Sequence, residues 1–218
     1  MVLVGDFDRP NLHLSVDRIP HRDSQLIEFV APRVQLGDHG IVYCITRAET
    51  ERVADMLNGR CGLNADAYHA GMSDGDRASV QRDFMAGHWD IIVATIAFGM
   101  GIDKPDIRWI VHLGMPSSLE VYHQEIGRAG RDGNPAECVI LYHPDDYDQW
   151  EQLLWSEEEA VAAGCGSDDP KLEKLNHMDL YCRTKTCCRH AFLMTYFGQD
   201  HAFDNCAACD VCAGKAEG

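Results

Sequence analysis

The sequence predicts an α/β fold in which helices cover both faces of a mostly parallel sheet, followed by a small helical module rich in cysteine. Continuous apolar runs of strand length occur at 40–45, 91–94 and 107–113, which is typical of strands buried on both faces. Segments with helical apolar spacing lie between such runs, so consecutive strands are expected to run parallel. A cluster of closely spaced cysteines near the carboxyl terminus indicates the second module.

The predicted elements alternate along the chain. Strands are expected at 11–16, 40–45, 65–69, 91–94, 107–113 and 138–142, and helices at 24–34, from 46 onward, from a cap at 73 through 85, from a cap at 117, at 144–155, at 171–183 and at 188–197. Pro32 is expected to interrupt the first helix. Ser117, with Glu120 three residues on, is the predicted cap of the helix that precedes residue 128.

The charge pattern limits the classes of function. The net charge of −16 argues against a broad nucleic-acid surface, because such surfaces neutralise phosphates with Lys and Arg. The charge is unevenly distributed, since residues 134–169 contain 10 acidic residues and no Lys or Arg. A local basic site is therefore compatible with the acidic total.

No signal-peptide pattern and no apolar window of membrane-spanning length is apparent in the sequence. We therefore expect a cytoplasmic protein with no membrane partner. Ten cysteines in a reducing compartment indicate metal ligands or core thiols rather than disulfides.

The chain is predicted to have three parts. Residues 1–155 form the main α/β domain, residues 156–169 an acidic linker, and residues 170–218 the cysteine-bearing module. The linker prediction depends on the acidic, Gly- and Ala-containing sequence that follows Trp155.

Phosphate chemistry is indicated between residues 90 and 133. Arg128 and Arg131 stand beside two glycines near the end of a predicted helix, and Gly99 and Gly101 lie in the loop after a strand. Guanidinium groups bind phosphate oxygens in a bidentate fork, and glycine lets backbone N–H groups approach closely. A solvated helix end with favourable dipole charge is the structural alternative.

Metal chemistry is indicated by two overlapping CxxC pairs formed by Cys206, Cys209 and Cys212. Such turns suit tetrahedral thiolate ligation of Zn²⁺, and a fourth ligand must come from upstream. Cys188 and its neighbour Cys187 lie about 100° apart on a helix, so both cannot face one metal. Further candidates are Cys182, His190 and His201, and the alternative to a metal site is a redox dithiol.

Several segments together resemble the second half of the helicase core of the RecQ family of superfamily 2 DNA helicases. They are FDRPN at 7–11, IVYCITR at 41–47, YHAGM at 68–72, VATIAFGMGIDKP at 93–105, YHQEIGRAGRDG at 122–133, and CRHAFLMTYFG at 188–198 followed by CAACDVC at 206–212. The segments at 93–105 and 122–133 are similar to helicase motifs V and VI. The cysteine module is similar to the zinc module that separates RecQ-like proteins from other superfamily 2 helicases.

The resemblance implies a RecA-like fold and a 3′-to-5′ DNA-unwinding motor in which two such domains close on ATP. It implies that Arg131 or Arg128 acts as an arginine finger, that Gln124 joins the same network, and that Asp103 and Gly101 lie near the nucleotide. Glu125 is expected to be a supporting hydrogen-bond partner. The resemblance also favours Cys188 as the fourth zinc ligand.

The sequence contains neither a GxxxxGK[ST] phosphate loop nor a DExH-type magnesium box. ATP and Mg²⁺ are therefore expected to bind only with a first RecA-like domain, in cis or in trans. A different interpretation is a stand-alone, non-enzymatic DNA-binding or regulatory protein derived from such a helicase.

Single-stranded or forked DNA is the expected partner. Four polar residues directly follow or begin elements at predicted strand ends, where open parallel sheets bind ligands, and these are Thr46, Arg47, His69 and Thr95. Hydroxyl and guanidinium groups there can contact a sugar–phosphate chain without reading bases. The alternatives are a helix cap for Thr46 and a structural histidine for His69.

Overall fold

The structure, a computed structural model, describes residues 8–99, 102–154, 169–199 and 205–214. The strands within these ranges are β1 (Leu12–Arg18), β2 (His39–Cys44), β3 (Ala65–Tyr68), β4 (Ile91–Ala94), β5 (Ile107–Leu113) and β6 (Ala136–Tyr142). The helices there are α1 (Arg22–Gln35), α2 (Arg47–Cys61), α3 (Asp74–Met85), α4 (Leu119–Ile126), α5 (Asp145–Leu154), α6 (Pro170–Arg183) and α7 (Arg189–Tyr196).

The six strands form one sheet in the order β1-β6-β5-β2-β4-β3. Every strand pair in it is parallel. The predicted α/β class is therefore confirmed. The connection from β4 to β5 crosses from one side of β2 to the other, and it carries the loop between Thr95 and Asp106.

The two faces of the sheet bury separate hydrophobic cores, because successive side chains of a strand point to opposite faces. Val42 and Val93 pack with α1 and α2 on one face. Tyr43 and Ile92 pack with α3, α4, α6 and α7 on the other. The helices are held to the sheet mainly by this apolar burial.

The local signals placed most helix ends correctly. Thr46 and Ser73 cap α2 and α3 by accepting a backbone N–H three residues on. The cap of α4 is Ser118, so the prediction of Ser117 was wrong by one residue. The helix α1 also continues through Pro32. Pro32 lies in its last turn, where the missing N–H costs one helical hydrogen bond and the helix is ending.

The carboxyl-terminal helices share the second core with the sheet. Leu175, Tyr181 and Leu193 belong to the same buried cluster as Leu14 and other sheet residues. Most of the predicted linker, residues 156–168, lies outside the described residues, and Asp169 caps α6 through a bond from the backbone of Lys171. The three-part division of the chain stays a prediction.

Among the described residues, no helix combines the length and the apolar character needed to cross a membrane.

Candidate functional site

The two predicted phosphate-binding arginines lie just beyond the carboxyl end of α4. The turn that holds them approaches the amino end of β5, because the Gly130 N–H donates to the Ile107 carbonyl at 2.9 Å. The described residues of the loop after β4, 95–99 and 102–106, run alongside, and both arginines bind their backbone. This arginine site therefore joins the segments similar to motifs V and VI.

The Arg131 side chain is exposed, and its guanidinium group binds the loop that precedes β5. Its Nη1 donates to the Ile102 carbonyl at 2.7 Å and to Asp103 Oδ1 at 2.8 Å. The Asp103 side chain is 86% exposed, so the ion pair is largely surrounded by water. The structure thus brings Arg131 and Asp103 together, and their roles at a nucleotide stay a prediction.

Arg128 is half-buried and held more firmly. Its Nη1 donates to the Gly99 carbonyl. A Cβ atom on residue 99 would lie 2.3 Å from Arg128 Nη2, so a larger residue there would shift the guanidinium from its present position. Arg128 Nε is buried and has no hydrogen-bond partner among the described residues.

A buried cluster of three polar residues, Tyr43, His112 and Glu125, lies next to the arginine site. Tyr43 Oη donates to the Phe98 carbonyl at 3.0 Å, next to the carbonyl that binds Arg128. Burial raises the pKa of Tyr43 well above its usual range, and the Glu125 carboxylate raises it further. Tyr43 therefore remains a neutral hydroxyl donor at any physiological pH.

Glu125 is the supporting partner that the sequence predicted, and its own partner is His112. Its Oε2 lies 2.9 Å from His112 Nε2, and both residues are buried. The His112 ring stacks on Tyr43 with centroids 5.2 Å apart. His112 and Tyr43 were missed, because in the sequence they are two more residues of apolar strands.

Gln124 and Gly101 are the two remaining residues predicted for the arginine site. Gln124 lies on α4 and is exposed. Gly101 lies outside the described residues, as does His201, one of the alternative zinc ligands.

The four predicted DNA contacts form a separate group at the carboxyl ends of three adjacent strands, β2, β4 and β3. Thr46 Oγ1 accepts the Glu49 N–H as a helix cap. Arg47 is exposed, and Thr95 is mostly buried, with its N–H donating to the Tyr68 carbonyl at 3.2 Å.

His69 has the geometry of a structural histidine. Its Nδ1 accepts the Gly71 N–H at 3.2 Å, and its Nε2 lies 3.1 Å from Glu51 Oε1. Gly71 lies beside Arg47, because a Cβ on residue 71 would be 3.4 Å from Arg47 Nη1. By binding the Gly71 N–H, His69 therefore fixes the turn next to Arg47. The role of these residues in DNA binding stays a prediction.

The cysteine cluster consists of Cys188, Cys206, Cys209 and Cys212. Their four Sγ atoms all lie within 4.8 Å of one another. Zinc–thiolate bonds of about 2.3 Å in a tetrahedron require sulfur–sulfur distances of about 3.8 Å, so a small contraction would complete such a site. Among the described residues, this set alone brings at least three potential ligand atoms together in this way.

The local backbone places N–H donors against two of the sulfur atoms. Cys206 Sγ accepts the Ala208 N–H and Cys209 Sγ accepts the Cys212 N–H, each at 3.4 Å. Hydrogen bonds of this kind stabilise the charged form of a ligand. Ala207 adopts a positive φ of 53°, a strained conformation that the surrounding turn must hold in place.

The cluster is fastened to the edge of the sheet. Leu14 N donates to the Ala208 carbonyl and Asp210 N to the Leu14 carbonyl, each at 3.0 Å. Asp210 also accepts a bidentate pair of hydrogen bonds at 2.9 Å from Arg189. The turn between the last three cysteines thus covers the backbone of β1.

Comparisons with known proteins agree with this geometry. Residues 22–133 match the family described as the helicase conserved C-terminal domain. Residues 144–213 match the family described as RecQ zinc-binding. The two matched ranges contain the arginine site, the strand-end group and the cysteine cluster.

Curated relatives match almost the whole chain. The RecQ-like DNA helicase blm-1 of Caenorhabditis elegans is 41% identical over 217 residues, which cover 97% of this chain and 21% of the relative. The ATP-dependent DNA helicase RecQ of Haemophilus influenzae is 40% identical over 209 residues, which cover 96% of this chain and 32% of the relative. The chain therefore spans about a fifth to a third of these relatives.

Solved structures show the same fold. Domain 2 of the Mss116p DEAD-box helicase aligns with a TM-score of 0.54 at 15% identity, covering 85% of this chain and 87% of that one. A DEAD box protein of Methanococcus jannaschii also gives 0.54, at 24% identity, covering 71% and 40% of the two chains. The helicase Lhr of Mycobacterium smegmatis gives 0.52 at 26% identity, covering 62% and 20%.

The RecA-like fold expected from the sequence is thereby confirmed. The chain belongs to the RecQ family of superfamily 2 helicases, and it comprises the helicase C-terminal domain and the RecQ zinc-binding region.

Proposed function

We propose that this chain belongs to an ATP-dependent, 3′-to-5′ DNA helicase, in which it supplies an arginine finger and contacts to the DNA backbone. A first RecA-like domain, joined in cis or supplied in trans, would bind the nucleotide phosphates and Mg²⁺. The observation that carries the proposal is the arrangement of the two arginines: Arg131 is exposed beside Asp103, and Arg128 is half-buried against Gly99.

The surroundings of the two arginines suit different tasks. An exposed ion pair such as that of Arg131 with Asp103 contributes only about 0–1 kcal/mol, so a phosphate group can replace the carboxylate. Arg131 is therefore our choice for the finger that stabilises charge in the transition state. Arg128, held against Gly99, is suited to bind a phosphate without moving.

The strand-end group would hold single-stranded DNA. Arg47 provides an exposed cation beside the fixed His69 turn, and Thr46 and Thr95 provide hydroxyl groups at adjacent strand ends. These groups suit phosphate and sugar contacts, which position DNA without reading its sequence. Lhr, at 26% identity, has a solved complex with ssDNA and AMP-PNP.

The cysteine cluster would hold one structural Zn²⁺ through Cys188, Cys206, Cys209 and Cys212. Four thiolates leave no open coordination position, so the ion would supply folding free energy and no chemistry. The N–H donors from Ala208 and Cys212 fit thiolate ligands.

The test is Arg131→Ala in the complete protein. Turnover of ATP in saturating DNA should fall about 10³-fold, while the affinities for ATP and single-stranded DNA stay within a few-fold of their original values. Arg47→Ala should do the reverse, weakening DNA binding and leaving turnover in saturating DNA nearly unchanged. The isolated chain should not hydrolyse ATP, because arginines cannot replace the phosphate loop and the magnesium ligands.

Arg60→Ala is a matched control, because Arg60 is exposed near the end of α2, on the other face of the sheet. A loss of turnover below tenfold for Arg131→Ala, about 1.4 kcal/mol, would remove Arg131 from the finger role. DNA-stimulated hydrolysis by the isolated chain would contradict the two-domain proposal.

A further inference from the structure

The carboxyl end of α4 is held by a segment far away in the sequence. The last carbonyl groups of any helix lack partners within the helix. Here the carbonyl of Gly127, which caps α4, and those of Ala129 and Gly130 in the turn that follows all accept hydrogen bonds from Arg9. Arg9 precedes β1 and lies outside both ranges that match known families.

Arg9 forms a three-carbonyl clamp with a single guanidinium group. Its Nη1 donates to Gly127 O at 3.3 Å, and its Nη2 donates to Ala129 O at 2.8 Å and to Gly130 O at 3.0 Å. Reaching three carbonyl groups at once requires the planar fork of N–H donors of a guanidinium group. The compact ammonium group of lysine does not have this geometry. A cation is also favourable at the negative end of a helix dipole.

Asn11 extends the clamp to the next turn. Its Nδ2 donates to the carbonyls of Gly130 and Asn134, each at 2.9 Å. The backbone carbonyl of Asn11 accepts the Ala136 N–H at 3.0 Å, where β6 begins. The clamp is therefore anchored to the pairing of β1 with β6.

The fit leaves no room for a side chain at residue 130. Gly130 has a φ of +54°, and a Cβ there would lie 2.5 Å from Asn11 Nδ2 and 2.7 Å from the Asn134 carbonyl. The glycine thus lets the amide of Asn11 reach the turn. A larger residue would have to displace it.

The clamp directly neighbours both arginines of the arginine site. Arg128 lies between two of the carbonyls that Arg9 binds. Arg131 Nε donates at 3.3 Å to Gly127 O, the same oxygen that accepts from Arg9 Nη1. The backbone positions of Arg128 and Arg131 therefore depend on the clamp.

We propose that Arg9 and Asn11 are positioning residues for ATP turnover, because they fix the turn that presents Arg128 and Arg131 to the nucleotide. This inference rests on the proposed function of those two arginines. Both side chains bind the backbone of residues 127–134, so they would act on turnover through the geometry of that turn. Small displacements of catalytic groups are costly, since a shift of about 1 Å can cost about 100-fold in rate.

The experiment uses the complete protein with Arg9→Ala, Arg9→Lys and, as the control, Arg82→Ala. Arg82 is an exposed arginine of α3 whose guanidinium group contacts the side chains of Ser79 and Asp83 on the same helix. For Arg9→Ala, kcat should fall about 10- to 100-fold with KM for ATP and the unfolding temperature little changed. Arg9→Lys should be intermediate, because one ammonium group can restore only part of the clamp.

A second readout does not depend on activity. In Arg9→Ala, hydrogen exchange at the Gly130 amide should accelerate, while exchange in the core strand β2 stays slow. Unchanged kcat, or unchanged exchange at Gly130, would overturn the inference. A loss of activity that only follows a loss of folded protein, with no recovery in Arg9→Lys, would also overturn it.

The proposed function is tested separately by Arg131→Ala in the same assay. If that variant retains turnover, the finger assignment fails, and the exchange at Gly130 still decides whether Arg9 holds the turn. If Arg131→Ala loses turnover and Arg9→Ala does not, the positioning role alone is wrong.

Discussion

The buried ion pair between Arg189 and Asp210 offers a sharp test of how the cysteine module is stabilised. The side chains are 2% and 6% exposed. Asp210 accepts two hydrogen bonds from Arg189, one from the Val16 N–H at 3.1 Å and one from the Val211 N–H at 2.8 Å. Although burial alone would lower the pKa of Arg189, the Asp210 carboxylate raises it, so Arg189 keeps its charge.

The expected magnitude follows from leaving one charge buried without its partner. Asp210→Asn keeps the size of the side chain and one oxygen, which can accept from either the Val16 or the Val211 N–H, but it removes the charge opposite Arg189. Such a loss costs about 3–5 kcal/mol, a large part of the about 5–15 kcal/mol that stabilises a typical domain. Arg189→Met should cost a similar amount, because it leaves the Asp210 carboxylate unpaired.

The double variant Arg189→Met/Asp210→Asn removes both charges. Its loss of stability should be smaller than the sum of the two single losses, because neither charge is left unpaired. The assay is urea unfolding of all four proteins with zinc present. With an m-value of about 2–3 kcal/mol/M, each single variant should lower the midpoint by about 1–2.5 M.

Additive losses in the cycle would refute the coupling between the two side chains. Single losses below about 1 kcal/mol would refute the burial argument, since that is the range of an exposed pair.

Three further predictions concern other contacts of the chain. A hydrogen bond from Arg108 lowers the pKa of Asp132 to about 2. The usual value is about 3.9, so the stability contributed by ionised Asp132 is complete above about pH 4 and is lost as the pH falls through 2. The urea midpoint of Asp132→Asn should therefore approach that of the original protein as the pH falls from 5 to 2. Cys209→Ser should abolish stoichiometric zinc in elemental analysis and make the region after residue 170 protease-sensitive. Glu125→Ala should lower the free energy of unfolding by about 1–3 kcal/mol, because it leaves buried His112 without its partner, and Glu125→Gln should cost less.

Each of these has a contrary outcome. A pH-independent difference for Asp132→Asn would contradict the shifted pKa. Zinc retained by Cys209→Ser, with Cys61→Ser as the serine control, would exclude Cys209 as a ligand. Equal losses for the alanine and glutamine variants of Glu125 would show that the hydrogen bond to His112 contributes little.

The sequence by itself determined most of the helices and strands, and it supplied the candidate residues of the arginine site, the strand-end group and the cysteine cluster. Helix caps such as Thr46 and Ser73 bind an N–H only three residues away, so they follow from neighbouring residues. Continuous apolar runs indicated buried strands because a strand covered on both faces has no polar side. The CxxC spacing of the last three cysteines similarly brings their thiols together within a short turn.

Short-range signals also explain where prediction failed by small amounts. Adjacent serines at 117 and 118 have the same capping chemistry, and only the path of the chain after β5 selects Ser118. The continuation of α1 through Pro32 likewise depends on packing of the helix on the sheet, where Leu26 and Val30 are fully buried.

Tertiary structure alone decided the contacts that organise the arginine site. Glu125 meets His112 across 13 residues, and Arg9 meets Gly127 across 118. No period or spacing in the sequence encodes such pairs, because each partner lies in a segment whose local pattern is complete without the other. The order of the strands sets which distant segments meet. The free energy of burying apolar residues on both faces of the sheet selects that order, and the polar contacts of Arg9, His112 and Glu125 then form within the geometry it imposes.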